Sequence, residues 1–306
     1  MSNRGYFARL ETAAEQVTRA MHDRGFSLKF GGEGHQATKR IVVPTDARSE
    51  FFANRALGDW AEKSLAQAVR RAFTNWGVAH YGQSDAMSAG DSGFKEFYLQ
   101  QLEQVRKCGK RPDLLLFDDQ SILASVPNHD ISMLSLEMSD EFAKHAFASI
   151  EVRSSKVEAL RYMEVRQQDR IAGRGNSATR ETPSFTVKAE DLVIVYRWIE
   201  RYQISQTYCQ VFFDSVFGMN FLDIFEWIGR EKFKIDNPDK SQGKATILIP
   251  ITEGGLIGRF HHTPNQTVRP KISRLGRHDT YIEPIFEADN LKIESKILHE
   301  MIRGRV

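Results

Sequence analysis

The chain has 306 residues, 41% of them hydrophobic, enough for one large domain or two modest ones with ample core. No apolar run approaches membrane-spanning length, and a formal net charge of +2 means that any nucleic-acid surface has to be local. Cys108 and Cys209 build no disulfide framework and Met1 to Arg24 is too polar for a secretory signal, so the expected compartment is a reducing cytoplasm.

Tyr6 to Met21 carries helix formers. Phe26 to Arg48, with Gly31-Gly32-Glu33-Gly34 and Lys39-Arg40, reads as a loop or short ribbon, either an arm for DNA or a partner subunit or ordinary surface. The strongest helix signal runs from Glu50 to Trp76, where Leu57, Ala61, Leu65, Ala68, Ala72 and Trp76 recur at helical steps. Glu62 lies beside that stripe, in line with Leu65, Val69 and Phe73, and a half-buried glutamate needs a partner. Residues 77–98 are expected to hold a loop and one strand, followed by an amphipathic helix from Phe97 to Lys107.

Two stretches then stand out: Gly109-Lys110-Arg111-Pro112-Asp113-Leu114-Leu115-Leu116-Phe117 and Ser149-Ile150-Glu151-Val152-Arg153-Ser154-Ser155-Lys156. Each reads as a short buried strand with a carboxylate, which is costly unless a cation or hydrogen bonds compensate it. Alternation puts Asp113, Leu115 and Phe117 on one face and Glu151 and Arg153 on one face. If the strands pair, Asp113 and Glu151 meet closely enough to share a divalent cation, with Arg153 beside it. Mg²⁺ takes one or two carboxylates plus waters and phosphate oxygens, and it can activate water against a phosphodiester. Between the strands, Asp118 to His145 is longer than a hairpin needs. It is expected to reach a groove or another subunit, or to form a small helical decoration around Ser139 to Ala146.

Arg111-Pro112-Asp113 followed by Glu151-Val152-Arg153 resembles the PD-(D/E)XK signature of a nuclease superfamily that includes many type II restriction endonucleases. The resemblance covers roughly residues 50–220. It implies Asp113 and Glu151 as Mg²⁺ ligands on adjacent strands, and a lysine two residues after Glu151 that positions or activates water. Arg153 stands at that place. Arginine does not readily give up a proton, so it would orient water or neutralise phosphate, with Lys156 as the alternative. Ser154-Ser155-Lys156 also fits a Ser-X-Lys variant in which the second carboxylate moves to the next helix, to Glu164 or Asp169; Glu151 is preferred because it continues the strand face. The segment around Glu62 resembles the superfamily's opening helix, whose glutamate often completes the acidic cluster. The plainer reading is a helix-surface glutamate paired with arginine.

Downstream, Val157 to Ile171 reads as a helix exposing Arg161, Arg166 and Arg170, suited to phosphate contact or simply solvated. Gly173 to Ser177 is a turn, Phe185-Thr186-Val187 leads into a helix from Lys188 to Arg201, and Tyr208 to Asp214 is another buried strand ending in a turn-forming or outer-shell acid. Phe221 to Ile228 is expected to be helical and Lys244 to Ile251 a strand, with a turn at Gly254-Gly255. Gln266, Arg269, Lys271, Arg274 and Arg277 form a candidate base-reading region. His261-His262 carries no metal site, because adjacent strand residues face opposite ways.

The expected architecture is α/β, a restriction-endonuclease-like mixed sheet flanked by helices over 50–229, with an N-terminal arm (1–49) and a C-terminal recognition or dimer segment (230–306). The implied activity is that of a type II restriction endonuclease, a Mg²⁺-dependent, sequence-specific hydrolase of double-stranded DNA. Such an enzyme would act as a homodimer in a bacterial or archaeal cytoplasm. The alternatives are a non-specific repair or recombination nuclease of the same superfamily, and a DNA-binding protein whose centre has decayed, as Arg153 suggests.

Overall fold

A computed structural model describes residues 3–31, 43, 49–82, 87, 89, 91–174, 180–239, 244–272, 278–285 and 290–303. Two helices, α1 (Asn3–His22) and α2 (Ser49–Ala72), lead to β1 (Gly77–His80), α3 (Phe94–Cys108) and β2 (Leu114–Phe117). The insertion after β2 holds two 3-10 turns and α4 (Leu136–His145), the helical decoration the sequence allowed. Next come β3 (Ala148–Ser154), α5 (Ala159–Ile171), β4 (Ser184–Lys188), α6 (Ala189–Tyr202), β5 (Ser205–Val211), β6 (Ser215–Asn220) and α7 (Phe221–Gly229). The remainder comprises β7 (Lys234–Asp239), β8 (Lys244–Pro250), β9 (Gly255–Phe260), β10 (Gln266–Ile272), β11 (His278–Pro284), β12 (Leu291–Ile293) and α8 (Ser295–Arg303).

Seven strands form one mixed sheet in the order β1-β2-β3-β5-β6-β9-β12. Within it β3 and β5 are parallel and their neighbours antiparallel. The parallel step needs a long crossover, and α5, β4 and α6 supply it. That crossover brings the first turn of α6 over the polar face of β3. A smaller sheet, β4-β8-β7, and a separate hairpin, β10-β11, complete the strands among the described residues.

Strand alternation explains the two cores. Leu114, Leu116, Ala148, Ile150, Val152, Cys209 and Val211 point to one face, where Leu57, Trp60, Ala61, Leu65 and Val69 of α2 cover them. Burial of each large apolar side chain there contributes about 1.5–3 kcal/mol. On the other face Leu115, Phe117, Tyr208, Phe217 and Met219 pack under α1, α6 and α7. The helices and the mixed sheet match the expected class. The strands β6, β7, β9, β10, β11 and β12 and the helix α8 were not legible in the sequence. The last two strands of the main sheet, β9 and β12, come from the segment after residue 230. Among the described residues, no helix is long and apolar enough to cross a membrane.

Candidate active site

The antiparallel register of β2 on β3 pairs Leu114 with Ile150 and Leu115 with Ser149. One step further along this register Asp113, just outside β2, falls opposite Glu151 and on the same face. Its carboxylate Oδ2 accepts a 2.6 Å hydrogen bond from the Val152 backbone N–H, and its own carbonyl accepts from the Tyr81 N–H at 2.9 Å. Gly82 lies against it; a Cβ there would sit 3.2 Å from Asp113 Oδ1. The two acids named from the sequence are therefore brought together.

Glu151 is only 2% exposed and stands between two cations. Its Oε1 accepts from Lys110 Nζ at 2.5 Å and lies 3.1 Å from the Arg153 guanidinium. Both cations also reach Asp191, on the first turn of α6: Lys110 Nζ is 3.3 Å and Arg153 2.7 Å from Asp191 Oδ2. The four side chains thus close a ring in which each cation bridges the same two carboxylates. Glu151 Oε2, Arg153 Nε and both amide atoms of Gln206 are buried beside this ring without a hydrogen-bond partner. An orphaned buried carboxylate oxygen is rare in native proteins and calls for an explanation.

The charge states follow from the packing. Burial above all, and then the negative charge of Glu151, pushes Asp113 up to about 7 against the pull of Lys110, the Val152 N–H and Arg153. Burial works against the charge on Lys110, but Glu151, Asp191 and Asp113 hold its ammonium above the usual lysine range. Burial opposes the charge on Arg153 as well, and Glu151 reverses the balance. Asp191 is favoured as the neutral form by burial, yet Lys110 and Arg153 keep it below the ordinary carboxylate range. Tyr208, beside Glu151 on β5, is pushed up to about 12 by burial.

Lys110 and Asp191 were not among the residues singled out from the sequence. Lys110 owes its place to Gly109, which ends α3 at φ 84° and whose absent Cβ would lie 2.4 Å from the Ile194 carbonyl oxygen. That close approach lets the Lys110 N–H bond Ile194 O at 2.9 Å, tying the loop to α6 on the turn after Asp191. Arg111 turns away from the ring: it is buried, bonds Gln104 Oε1 at 3.3 Å and lies over the Tyr81 ring.

The other sequence candidates sit elsewhere. Lys156 is exposed, two residues past the end of β3. Glu62 rides on α2, which packs on the Ile150 and Val152 face, whereas Glu151 and Arg153 point to the opposite face. Glu164 and Asp169 engage partners on or next to their own helix, Gln168 for the first and Arg166 and Arg174 for the second. Arg161 is exposed and pairs with Glu158 at 3.0 Å, while Arg166 is largely covered and lies 3.8 Å from Asp169. Asp214 accepts from the backbone N–H groups of Ala159, Leu160 and Arg161, capping α5 rather than joining the acids.

Gln266 and Arg269 lie on the β10-β11 hairpin. Arg269 pairs with Glu283 at 2.6 Å, and Tyr281 packs on Phe52 of α2. The Lys271 side chain, Arg274, Arg277 and the Lys39-Arg40 arm lie outside the described residues. His261 and His262 are exposed after β9, and their backbone is clasped by Asn290.

A divalent cation fits the two paired acids. Glu151 Oε2 lacks a donor, and Asp113 is pushed toward neutrality by burial first and then by the charge of Glu151, an arrangement that a cation shared by the two acids would relieve. Among the described residues no group of three His, Cys, Asp or Glu side chains is placed to hold an ion. A two-carboxylate site completed by water and phosphate oxygens is the kind Mg²⁺ uses.

The mixed sheet with this acid-and-cation centre fits the restriction endonucleases, and comparison with known families agrees. The AccI restriction endonuclease model matches residues 32–173 and 175–295. The chain belongs to the AccI restriction endonuclease family, and with it to the site-specific nucleases that hydrolyse DNA. No curated protein and no solved structure matches it.

Proposed function

We propose that this chain is a Mg²⁺-dependent type II restriction endonuclease of PD-(D/E)XK type, in which Asp113 and Glu151 hold the metal. The observation that carries the reading is the unpartnered Glu151 Oε2 beside the buried Asp113 carboxyl, with Lys110 and Arg153 flanking them. Asp113 and Glu151 would hold a Mg²⁺, which would supply an activated water and polarisation of the scissile phosphate. Lys110 and Arg153 place fixed positive charge beside the phosphate as negative charge builds on it. Arg153 cannot serve as a base, and its planar fork suits phosphate oxygens. Lys110 brings a lysine ammonium to the centre from the loop before Asp113, a role that the family pattern gives to the residue two after the glutamate.

Base reading is assigned to the segment 230–306, with Gln266 and Arg269 on the hairpin, then Lys271, Arg274 and Arg277 beyond it. Arg161 and, less favourably, Arg166 are assigned to phosphate contact from α5. Since one centre cuts one strand, a homodimer with two-fold symmetry suits a palindromic site, in the cytoplasm of a bacterial or archaeal host. The test is digestion of a DNA of known sequence by the purified protein, with Mg²⁺ and with EDTA. Discrete fragments with mapped, repeated ends in Mg²⁺ alone support the reading. A smear makes the protein a non-specific nuclease, and binding without cleavage makes its centre a decayed one.

A further inference from the structure

We propose that Asp191 is a positioning residue that sets the metal affinity of the centre by competing with Glu151 for Lys110 and Arg153. The inference rests on the metal site read above, and its first support is the shared geometry. Both cations converge on one oxygen of Glu151, at 2.5 and 3.1 Å, and on one oxygen of Asp191, at 3.3 and 2.7 Å. Each cation can therefore shift its weight from one carboxylate to the other with little movement.

The charges give that shift a direction. A divalent cation on Asp113 and Glu151 repels the ammonium and guanidinium already seated on Glu151 Oε1, in surroundings where charges are poorly screened. Without another acceptor, both would have to remain against the metal or lose their partner in a largely buried place, which is costly. Asp191 supplies that acceptor. It is fixed on the first turn of α6, and the Lys110 backbone is tied to the same helix through Ile194 O at 2.9 Å. The acid and the backbone of the lysine are therefore anchored to the same helix. Asp191 itself stays out of the metal's ligand set, because two cations stand between it and Glu151.

The second support is the set of buried polar atoms around the ring. Glu151 Oε2, Arg153 Nε and both side-chain amide atoms of Gln206 are buried without a hydrogen-bond partner. Glu151 is thus held only through the oxygen it shares with the cations, and the other oxygen remains for a ligand. Removing Asp191's charge leaves Lys110 and Arg153 with Glu151 alone, and the metal must then displace both.

The experiment measures Mn²⁺ binding by calorimetry and Mg²⁺-dependent cleavage for the full chain and for Asp113→Asn, Asp191→Asn, Lys110→Met and the Asp191→Asn/Lys110→Met pair. Circular dichroism and thermal melting confirm that each is folded. Expected is a loss of Mn²⁺ affinity of about 10–100-fold in Asp191→Asn, the range typical of groups that orient metal ligands. Lys110→Met is expected to bind Mn²⁺ at least as tightly as the parent while cleaving more slowly. The pair is expected to recover most of the lost affinity, which a merely structural role for Asp191 would not produce. If Asp191→Asn is folded and binds Mn²⁺ like the parent, or if the pair shows no recovery, the inference is overturned. A parent protein that binds Mn²⁺ no better than Asp113→Asn instead overturns the metal reading beneath it.

Discussion

The two faces of β3 are closed by opposite means. Ala148, Ile150 and Val152 point into a dry layer under α2, where size and shape are all that the neighbours require. Ser149, Glu151 and Arg153 point the other way, where Lys110 and Asp191 close an ion ring around a glutamate with one unused oxygen. Seven consecutive residues thus serve both the fold and the site, separated by the alternation of a strand. The lesson is that the rigid apolar face lets the polar face remain incompletely satisfied. A half-satisfied buried network costs stability unless the scaffold behind it is secure.

The largest expected effect breaks the polar face alone. Glu151→Gln should lower Mg²⁺-dependent cleavage by about 10³-fold or more, since a metal's charge stabilisation is worth several kcal/mol. Retained DNA binding in a gel-shift assay would place the loss in chemistry. Next in size is Gly109→Ala, which acts on the support of Lys110. Positive φ together with a Cβ driven into the α6 backbone should cost on the order of 3 kcal/mol, read by urea unfolding. Unchanged stability there would remove the account of how Lys110 is placed.

Val152→Ala is the control from the apolar face. It should cost about 2 kcal/mol through lost packing while leaving the rate of the folded enzyme nearly unchanged.

Asp113 gives a comparison across pH. Its carboxyl is raised to about 7, so the folded protein keeps a proton that the unfolded chain releases. Its contribution therefore makes the metal-free fold lose stability as pH rises from the ordinary carboxylate range to about 7 and level off above. Asp113→Asn, which mimics the protonated form, should raise the melting temperature relative to the parent by a margin that widens over that window. By the same competition, the Mg²⁺ concentration needed for half-maximal cleavage should fall as pH rises from about 6 to about 8, as the proton leaves. A melting difference that does not depend on pH would show that Asp113 is already ionised at the lower end.

The smallest effect is expected at an exposed pair. Arg269→Ala, which frees Glu283 on the hairpin, should change stability by no more than about 0.5 kcal/mol. If it reads a base or phosphate, DNA affinity should nevertheless fall, and a loss uniform across sequences would assign it to the backbone.

How far the sequence reached is clearest at three places. Asp113 and Glu151 were legible because a carboxylate within or next to an apolar strand stands out against its neighbours and strand alternation fixes its face. Lys110 was visible in the same motif, but nothing local says that a lysine in a coil between a helix and a strand will turn inward. That turn depends on Gly109 passing against α6. Asp191 was hidden more completely, because an acid on the first turn of a helix has a sufficient local explanation in the helix dipole. The strands β6 and β9 escaped for a related reason: Gly218, Gly255 and Gly258 break strand patterns that only neighbouring chain segments complete.

The sequence by itself therefore determined the strong helix α2, the two short acid-bearing strands and the face each acid takes, since these depend on periods of a few residues. The tertiary structure alone decided which cations meet those acids. The crossover from β3 to β5 carries α6, with Asp191, back over a strand that lies well before it in the chain. Contacts of that span are set by packing between elements, and no pattern within either stretch records them.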